Sequence, residues 1–374
     1  MAGGHLVIAS GGTGGHFYPT LAVAREFLKE RPEGKVTLLV SGKHAEEQTK
    51  IAADFGIKAI EIPSVRLPGI GFGMLTFPFK MLSCVMKAKA VLKQLNADVL
   101  LGMGSFAAVP ACWAVNTKKT PLVLHEGNSF MGLTNRVFIG KASAIGLALP
   151  LADMGQVKGR RSEQVGMPLR EAIVTAAAGS CEKSPDYLPS LGLSNDKKTV
   201  LVFGGSQGAR AINELFANTA ALLGDVKDKI QFMHLTGSDD NTALENAYKE
   251  AGVAASIRRA DPNIEQCYIA SDLVVCRSGA SSICELALFG KPLVLIPLPT
   301  AADDHQTVNA KVLESAGAAR HVAQKDATPG KLASLLKDFL ENGAAWAAMG
   351  EKMRQFGKPN AAANLVQLIL SVMK

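Results

Sequence analysis

Short runs of apolar, β-branched residues alternate along the chain with stretches whose apolar positions recur every three or four residues. The runs at 6–9, 36–40, 99–101, 122–124, 200–203, 230–235, 273–276 and 293–297 read as strands. The stretch opened by Pro19 puts Leu21, Ala24, Arg25 and Leu28 at helical spacing, and the one after Ser206 does so with Ile212, Leu215 and Phe216. Strands alternating with helices predict an α/β protein with parallel sheets. Both helices follow a strand that ends in a glycine-rich turn, LVIASGGTGGH in the first half and VLVFGGSQGAR in the second. The chain therefore divides into two analogous domains, 1–172 and 199–357, joined by a linker at 173–198 rich in Ala, Ser, Pro and Lys. A strong helical pattern at 361–373 follows Lys358-Pro359, and this tail, 358–374, is expected to pack back on the first domain.

Length agrees, since 374 residues suggest two domains. At 48% hydrophobic and 20% charged, composition fits a soluble globular protein and excludes disorder, a collagen-like repeat or a disulfide scaffold. Forty Lys and Arg against thirty-three Asp and Glu leave +7, which suits anionic small molecules or an anionic membrane surface as well as nucleic acid and selects no partner. The cysteines, Cys84, Cys112, Cys181, Cys267, Cys276 and Cys284, show neither CxxC nor zinc spacing and read as reduced core thiols of a cytosolic protein. The start, MAGGHLVIAS, lacks a basic n-region and reads as a first strand, not a signal peptide. The most apolar stretch, 66–87, carries Lys80 and is broken by Pro68, Gly69, Gly71, Gly73 and Pro78, so it makes a poor membrane span. An interfacial role remains: Ile70, Phe72, Leu75, Phe77, Phe79, Met81, Leu82, Val85 and Met86 lie beside Lys80, Lys87, Lys89 and Lys93, the pattern of a membrane anchor or of a buried helix with a solvated lysine face.

A strand, a glycine turn and a helix present free N–H groups and a positive dipole end, which suit a phosphate. Two such loops in equivalent places favour a ligand over a merely tight turn. The dinucleotide pattern fails, because from Gly12 and Gly14 the third glycine position is Phe17, and Val40 is followed by Ser41-Gly42-Lys43 where an acid is wanted. A Walker A loop fails at Gly34-Lys35-Val36 and Gly290-Lys291-Pro292. Nicotinamide enzymes and P-loop ATPases are thereby disfavoured. His16 ends the first loop where a helix begins, and fits either a general base or a structural histidine. Ser281 or Ser282 is expected to cap a helix carrying Glu285, which is either a capping residue or a two-oxygen acceptor for a ribose diol. Adjacent Asp303 and Asp304 seldom chelate an ion by themselves, so no metal site is predicted.

GGTGGH at 11–16, LGMG at 101–104, HEGN at 125–128, GLTNR at 132–136, GGSQGA at 204–209, CRSGASSICE at 276–285 and DDHQTVNA at 303–310 occur in this order. Together they resemble, over nearly the whole chain, the bacterial peptidoglycan N-acetylglucosaminyltransferases of glycosyltransferase family 28. Members transfer N-acetylglucosamine from UDP-GlcNAc to lipid I, giving lipid II. The resemblance implies a GT-B fold: two Rossmann-like, doubly wound parallel-sheet domains with an inter-domain cleft. By position it implies donor binding by Thr13, Gly14, Gly15, Asn128, Arg170, Ser206, Ala280, Ser281, Ser282, Ile283, Cys284, Glu285 and Gln306. Within that set Glu285 would take the ribose, Ser206 a phosphate and Gln306 sugar hydroxyls. Gly104, His125, Glu126 and Asn135 would belong to the acceptor side, with His16 as base or acceptor anchor. It further implies inverting transfer without an obligatory metal or other cofactor, lipid I and the cytoplasmic face of an anionic membrane as partners, peripheral attachment there, and no nucleic acid. Gly127, Met167 and Ser105-Phe106 depart from the family pattern. So does SIRRADPNIEQ at 256–266, which lacks the aromatic-isoleucine pair whose backbone reads uracil in the family and leaves that contact unassigned. The residues alone leave open another GT-B nucleotide-sugar transferase or a non-catalytic UDP-sugar-binding regulator.

Overall fold

A computed structural model describes residues 3–11, 14–65, 73–179, 184–205 and 208–373. The chain divides into two compact units, 1–171 with 360–374, and 172–359. The first contains β1 (His5–Ala9), α1 (Gly14–Glu30), β2 (Lys35–Val40), α2 (Ala45–Asp54), β3 (Lys58–Glu61), α3 (Gly73–Leu95), β4 (Val99–Gly102), α4 (Val109–Ala114), β5 (Leu122–Glu126), α5 (Leu133–Phe138), β6 (Ala144–Leu147) and β7 (Ser162–Gln164). After α6 (Glu171–Ala178), at the boundary, the second holds α7 (Tyr187–Ser190), β8 (Lys198–Phe203), α8 (Arg210–Ala220), β9 (Ile230–Leu235), α9 (Thr242–Glu250), β10 (Ala255–Arg258), α10 (Ile264–Ala270), β11 (Leu273–Cys276), α11 (Ala280–Phe289), β12 (Leu293–Leu295), α12 (His305–Ser315), β13 (Arg320–His321), α13 (Pro329–Glu341) and α14 (Gly343–Arg354). The last helix, α15 (Ala361–Leu370), returns to the first unit and packs on α1 and β6.

Both sheets are parallel, with strand orders β3-β2-β1-β4-β5-β6-β7 and β10-β9-β8-β11-β12-β13. Each therefore reverses direction of winding once, between β1 and β4 and between β8 and β11, the crevice position where open α/β sheets bind ligands beyond the strand carboxyl ends. Side chains alternate across the first sheet. Leu6 and Ile8 face a core completed by Phe17, Phe27 and, from α15, Leu365, Val366, Leu368 and Ile369. Val7 and Ala9 face the opposite core with Leu100, Leu122 and Leu124. In the second sheet Val200 and Val202 pack with Phe216, Phe232 and Trp346.

Several expectations need correction. The helix read as opening at Pro19 begins five residues earlier and carries that proline inside it, and α3 likewise runs through Pro78 without breaking. Residues 173–198, read as linker, hold most of α6 and all of α7 and cluster with the second unit. Five strands escaped notice: β3, β7, β10 and β13 are short and partly polar, as edge strands are, and β6 is a four-residue run interrupted by Gly146. The five described cysteines are free and buried; Cys181 lies outside the described residues.

Candidate functional site

In the first unit the polar residues gather at the carboxyl ends of β1, β4 and β5. His16 is the third residue of α1, with its carbonyl accepting from Thr20 Oγ1 at 2.8 Å and Ser10 Oγ at 3.3 Å. No acidic side chain occupies the first turn of α1, so its positive end is not neutralised from within the helix. Arg170 lies over the ring of Tyr18, 5.8 Å from its centroid, which brings a guanidinium beside the same helix. An Arg25–Glu171 pair of 2.9 Å ties the next residue to α1 as well.

Gly104, His125, Glu126 and Asn135 form one buried network. Asn135 Nδ2 donates to His125 O at 2.9 Å and to Glu126 Oε2 at 2.8 Å. Glu126 Oε2 also accepts from Gly132 N at 2.8 Å, while its Oε1 accepts from Asn128 N at 3.0 Å and Asn128 Nδ2 at 3.3 Å. Gly104 has φ +76°, and a Cβ there would stand 3.2 Å from both His125 O and Asn135 Nδ2, so only glycine lets β4 end this close to the network. Burial pushes the Glu126 carboxyl up against the pull of those donors. His125 Nε2 lies 3.0 Å from Gly166 O, and burial lowers the imidazole to about 4, opposed by that carbonyl and assisted by His16 nearby. A neutral His125 and an enclosed Glu126 thus brace the 125–135 loop from beneath, holding Asn128 and the end of β4 in place.

In the second unit Gly208 has φ +70°, and a Cβ would meet Thr236 O at 2.2 Å, so the glycine turn needs this residue type to close on the end of β9. Next to it lies a cleft of about 450 Å³ whose lining includes Gly204, Gly208, Arg277, Thr300, Gln306 and Gln324. The cleft sits at the β8/β11 reversal. Gln306 Oε1 accepts from Leu298 N at 3.0 Å, leaving its amide N–H groups for other partners, and its carbonyl accepts from Ser278 Oγ at 2.8 Å. Sequence reading passed over Arg277. This arginine is buried, donates to Ile296 O and Pro297 O at 3.0 Å each and to Gln324 Oε1 at 2.7 Å, and so fixes the loop leading from β12 to Gln306. Burial lowers its guanidinium from the usual value. A cation directly after an apolar strand at the sheet reversal was the available signal.

Neither Ser281 nor Ser282 caps α11. The N-cap is Gly279 without a side-chain cap, and no acid stands in the first turn. Glu285 is therefore the sixth residue of the helix, beyond the reach of a capping box, and the capping alternative falls. It is half-buried and accepts from Tyr268 Oη at 2.7 Å, a partner that sequence spacing did not suggest. Ala280, Ile283 and Cys284 are buried, so their side chains serve the core and they can offer a ligand only backbone groups, while Ser281 and Ser282 are half-buried. The 256–266 stretch is tied by a polar cluster in which Arg258 pairs with Asp261 and Tyr187 Oη donates to Asp261 at 3.1 Å. Thr13 and Ser206 lie outside the described residues, and Gly14 and Gly15 are the first two residues of α1. Asp303 and Asp304 both take left-handed φ of 52°. Among the described residues no three His, Cys, Asp or Glu side chains converge as metal ligands would.

The face of α3 is sorted by its helical period. Leu75, Phe79, Leu82 and Met86 are exposed, with Lys80, Lys87 and Lys89 beside them. Phe77 is half-buried: it packs against the core that Met81 and Ala88 enter, so its ring adds less to the outer row than Leu75 or Phe79 does. Trp113 on α4 and Leu133 and Val137 on α5 add exposed apolar area that the sequence reading missed. Ile70 and Phe72 lie outside the described residues. No helix among the described residues is long and apolar enough to cross a membrane.

Comparison with known proteins bears on both units. The model of the glycosyltransferase family 28 N-terminal domain matches residues 6–147, and that of the C-terminal domain matches 199–365. A UDP-N-acetylglucosamine--N-acetylmuramyl-(pentapeptide) pyrophosphoryl-undecaprenol N-acetylglucosamine transferase of Nitratidesulfovibrio vulgaris is 34% identical over 99% of this chain and 98% of its own. The protein of the same name from Syntrophotalea carbinolica is 32% identical over 98% of both chains. Among solved structures, Acinetobacter baumannii MurG aligns with TM-score 0.78 and 28% identity over 99% of this chain and 100% of that one. A UDP-GlcNAc 2-epimerase from Neisseria meningitidis bound to UDP-GlcNAc shares the fold, with TM-score 0.67 at 14% identity over 98% of this chain and 99% of that one.

Proposed function

The chain belongs to glycosyltransferase family 28, and from that membership we propose that it moves N-acetylglucosamine from UDP-GlcNAc to the 4-hydroxyl of the MurNAc unit of lipid I, giving lipid II. It is a hexosyltransferase of peptidoglycan synthesis. The observation that carries this reading is likeness along 99% of the chain to transferases of that name. In inverting transfer a base takes the proton of the acceptor hydroxyl as its oxygen attacks the anomeric carbon, and UDP leaves from the opposite face. His16 is the base, at the start of α1. Arg170 balances charge on the departing diphosphate, the open amino end of α11 holds the diphosphate alike before and during transfer, Glu285 accepts from the ribose hydroxyls and the Gln306 amide donates to the sugar. Asn128, held by Glu126, completes the donor set from the first unit. No divalent metal is required, because fixed dipoles and a guanidinium take its place.

The lipid acceptor remains in the bilayer, so the enzyme must come to it. The exposed row Leu75, Phe79, Leu82 and Met86 with Lys80, Lys87 and Lys89 supports docking on the cytoplasmic face of an anionic membrane. The deciding experiment mixes purified protein, UDP-GlcNAc and a short-chain lipid I analogue, with and without EDTA, and reads product linkage by mass spectrometry and NMR. A β-1,4-linked disaccharide in both arms is expected. Absence of UDP release with that acceptor would overturn the assignment, and activity lost in EDTA and restored by Mg²⁺ would reverse the metal-free mechanism.

A further inference from the structure

The two ends of α11 are treated very differently. At its amino end Gly279 offers no side-chain cap. At its carboxyl end all four carbonyls that a helix leaves unpaired are satisfied. Leu286 O accepts from Lys291 N at 3.4 Å and Ala287 O from Gly290 N at 3.2 Å, the turn closed by Gly290 in the left-handed region at φ +60°. The remaining two, Leu288 O and Phe289 O, accept from Arg354 Nη1 and Nη2 at 3.2 and 3.3 Å. Arg354 is the last residue of α14, and two glycines bring the end of α14 against α11. A Cβ on Gly350 would stand 2.4 Å from Gly290 O, and one on Gly357 would stand 3.0 Å from Ala287 O. A Cβ on Gly290 itself would stand 2.6 Å from the Arg354 guanidinium.

We propose that Arg354 is a positioning residue for donor binding: its guanidinium anchors the carboxyl end of α11 and thereby aims the uncapped amino end, and Glu285 one and a half turns along, at the nucleotide sugar. This rests on the donor role proposed above for α11. The physical case has two parts. A helix held by two hydrogen bonds at one end swings less at the other, about 15 Å away for ten residues. A cation at the carboxyl end offsets the negative pole, so an anion at the amino end feels more of the positive one. Arg354 touches neither substrate nor the reacting atoms, and the Glu285 interaction with the ribose is felt equally before and during transfer.

Arg354→Met keeps the length and removes the charge and both donors. In the full-length protein it should raise KM for UDP-GlcNAc by about 5- to 20-fold while kcat stays within about twofold, the mark of lost ground-state and transition-state binding in equal measure. KM for the short lipid I analogue should not move. Arg354→Lys, which restores charge and reaches one carbonyl, should recover part of the loss and serves as the test if the methionine variant does not fold. Calorimetric titration with UDP reads the same weakening without turnover. Unchanged KM and unchanged UDP affinity in either folded variant would overturn the proposal, and so would a loss confined to melting temperature. Wild-type protein that binds UDP but transfers no sugar would instead sink the transferase reading, and weaker UDP binding by Arg354→Met would still stand for the anchor.

Discussion

Glu285 and Tyr268 show how one contact changes the meaning of a residue. By spacing alone the carboxylate served a helix start as well as a ligand, but its place in the sixth position of α11 and the hydroxyl 2.7 Å from Oε2 leave it an oriented acceptor. Glu285→Ala should weaken UDP-GlcNAc binding by about 1.5 to 3 kcal/mol, the scale of hydrogen bonds to a charged group, while Tm falls only by what loss of the Tyr268 hydrogen bond costs. Donor affinity equal to wild type by calorimetry would remove the carboxylate from the site. His16 makes the complementary case. As the base it is dispensable for donor binding, so His16→Ala should lower kcat by about 10² to 10⁴ and leave the UDP dissociation constant alone. If only KM for the lipid acceptor changed, the imidazole would be an anchor.

At the scale of the element, α3 was legible as an amphipathic segment but not as to which face was which. Its apolar residues are spread around the helix, so period alone left two faces in competition. Packing against the β4 side of the sheet takes Phe77, Met81, Cys84 and Ala88 inward and leaves Leu75, Phe79, Leu82 and Met86 out. Replacing Lys80, Lys87 and Lys89 by Glu should reduce binding to anionic vesicles at least about a hundredfold, at roughly 1 kcal/mol per basic residue, and spare turnover of a water-soluble acceptor. Phe77→Ala should lower Tm and leave vesicle binding as it was. Equal sedimentation of wild type and triple variant with phosphatidylglycerol vesicles would move the docking surface elsewhere.

For the whole molecule, two buried imidazoles link stability to pH. His125 is held near 4 and His234 near 3, in both cases mainly because burial disfavours the cation. An unfolded histidine titrates near 6.5, so below that pH the unfolded chain binds protons that the native one refuses, and the stability present above 6.5 is lost as pH falls towards the folded values. From pH 7 to pH 5 each should cost about 2 kcal/mol, about 4 together. Glu126, with its carboxyl raised by burial, works in the opposite direction as it takes up a proton. Urea unfolding at pH 7 and 5 measures the balance, NMR titration reads the two imidazoles directly, and protonation of both near pH 6.5 in the folded protein would show that neither is held neutral.

The chain's own pattern was enough for the two-unit α/β architecture, for the two glycine turns and for the returning tail, because each depends on local periodicity and on which residue types permit a turn. The family resemblance assigned Gly104, His125, Glu126 and Asn135 to the acceptor side. Tertiary structure alone shows that they are joined in one buried network, since the hydrogen bonds from Asn135 to His125 and Glu126 cross from α5 to β5 and no spacing encodes them. It decided likewise that Arg277 governs the loop after β12, that Arg354 closes α11 across 65 residues of chain, and that Phe77 packs against the core. Periodicity reports how a segment folds on itself; burial and long-range partners arise only when separate segments compete for the same interior.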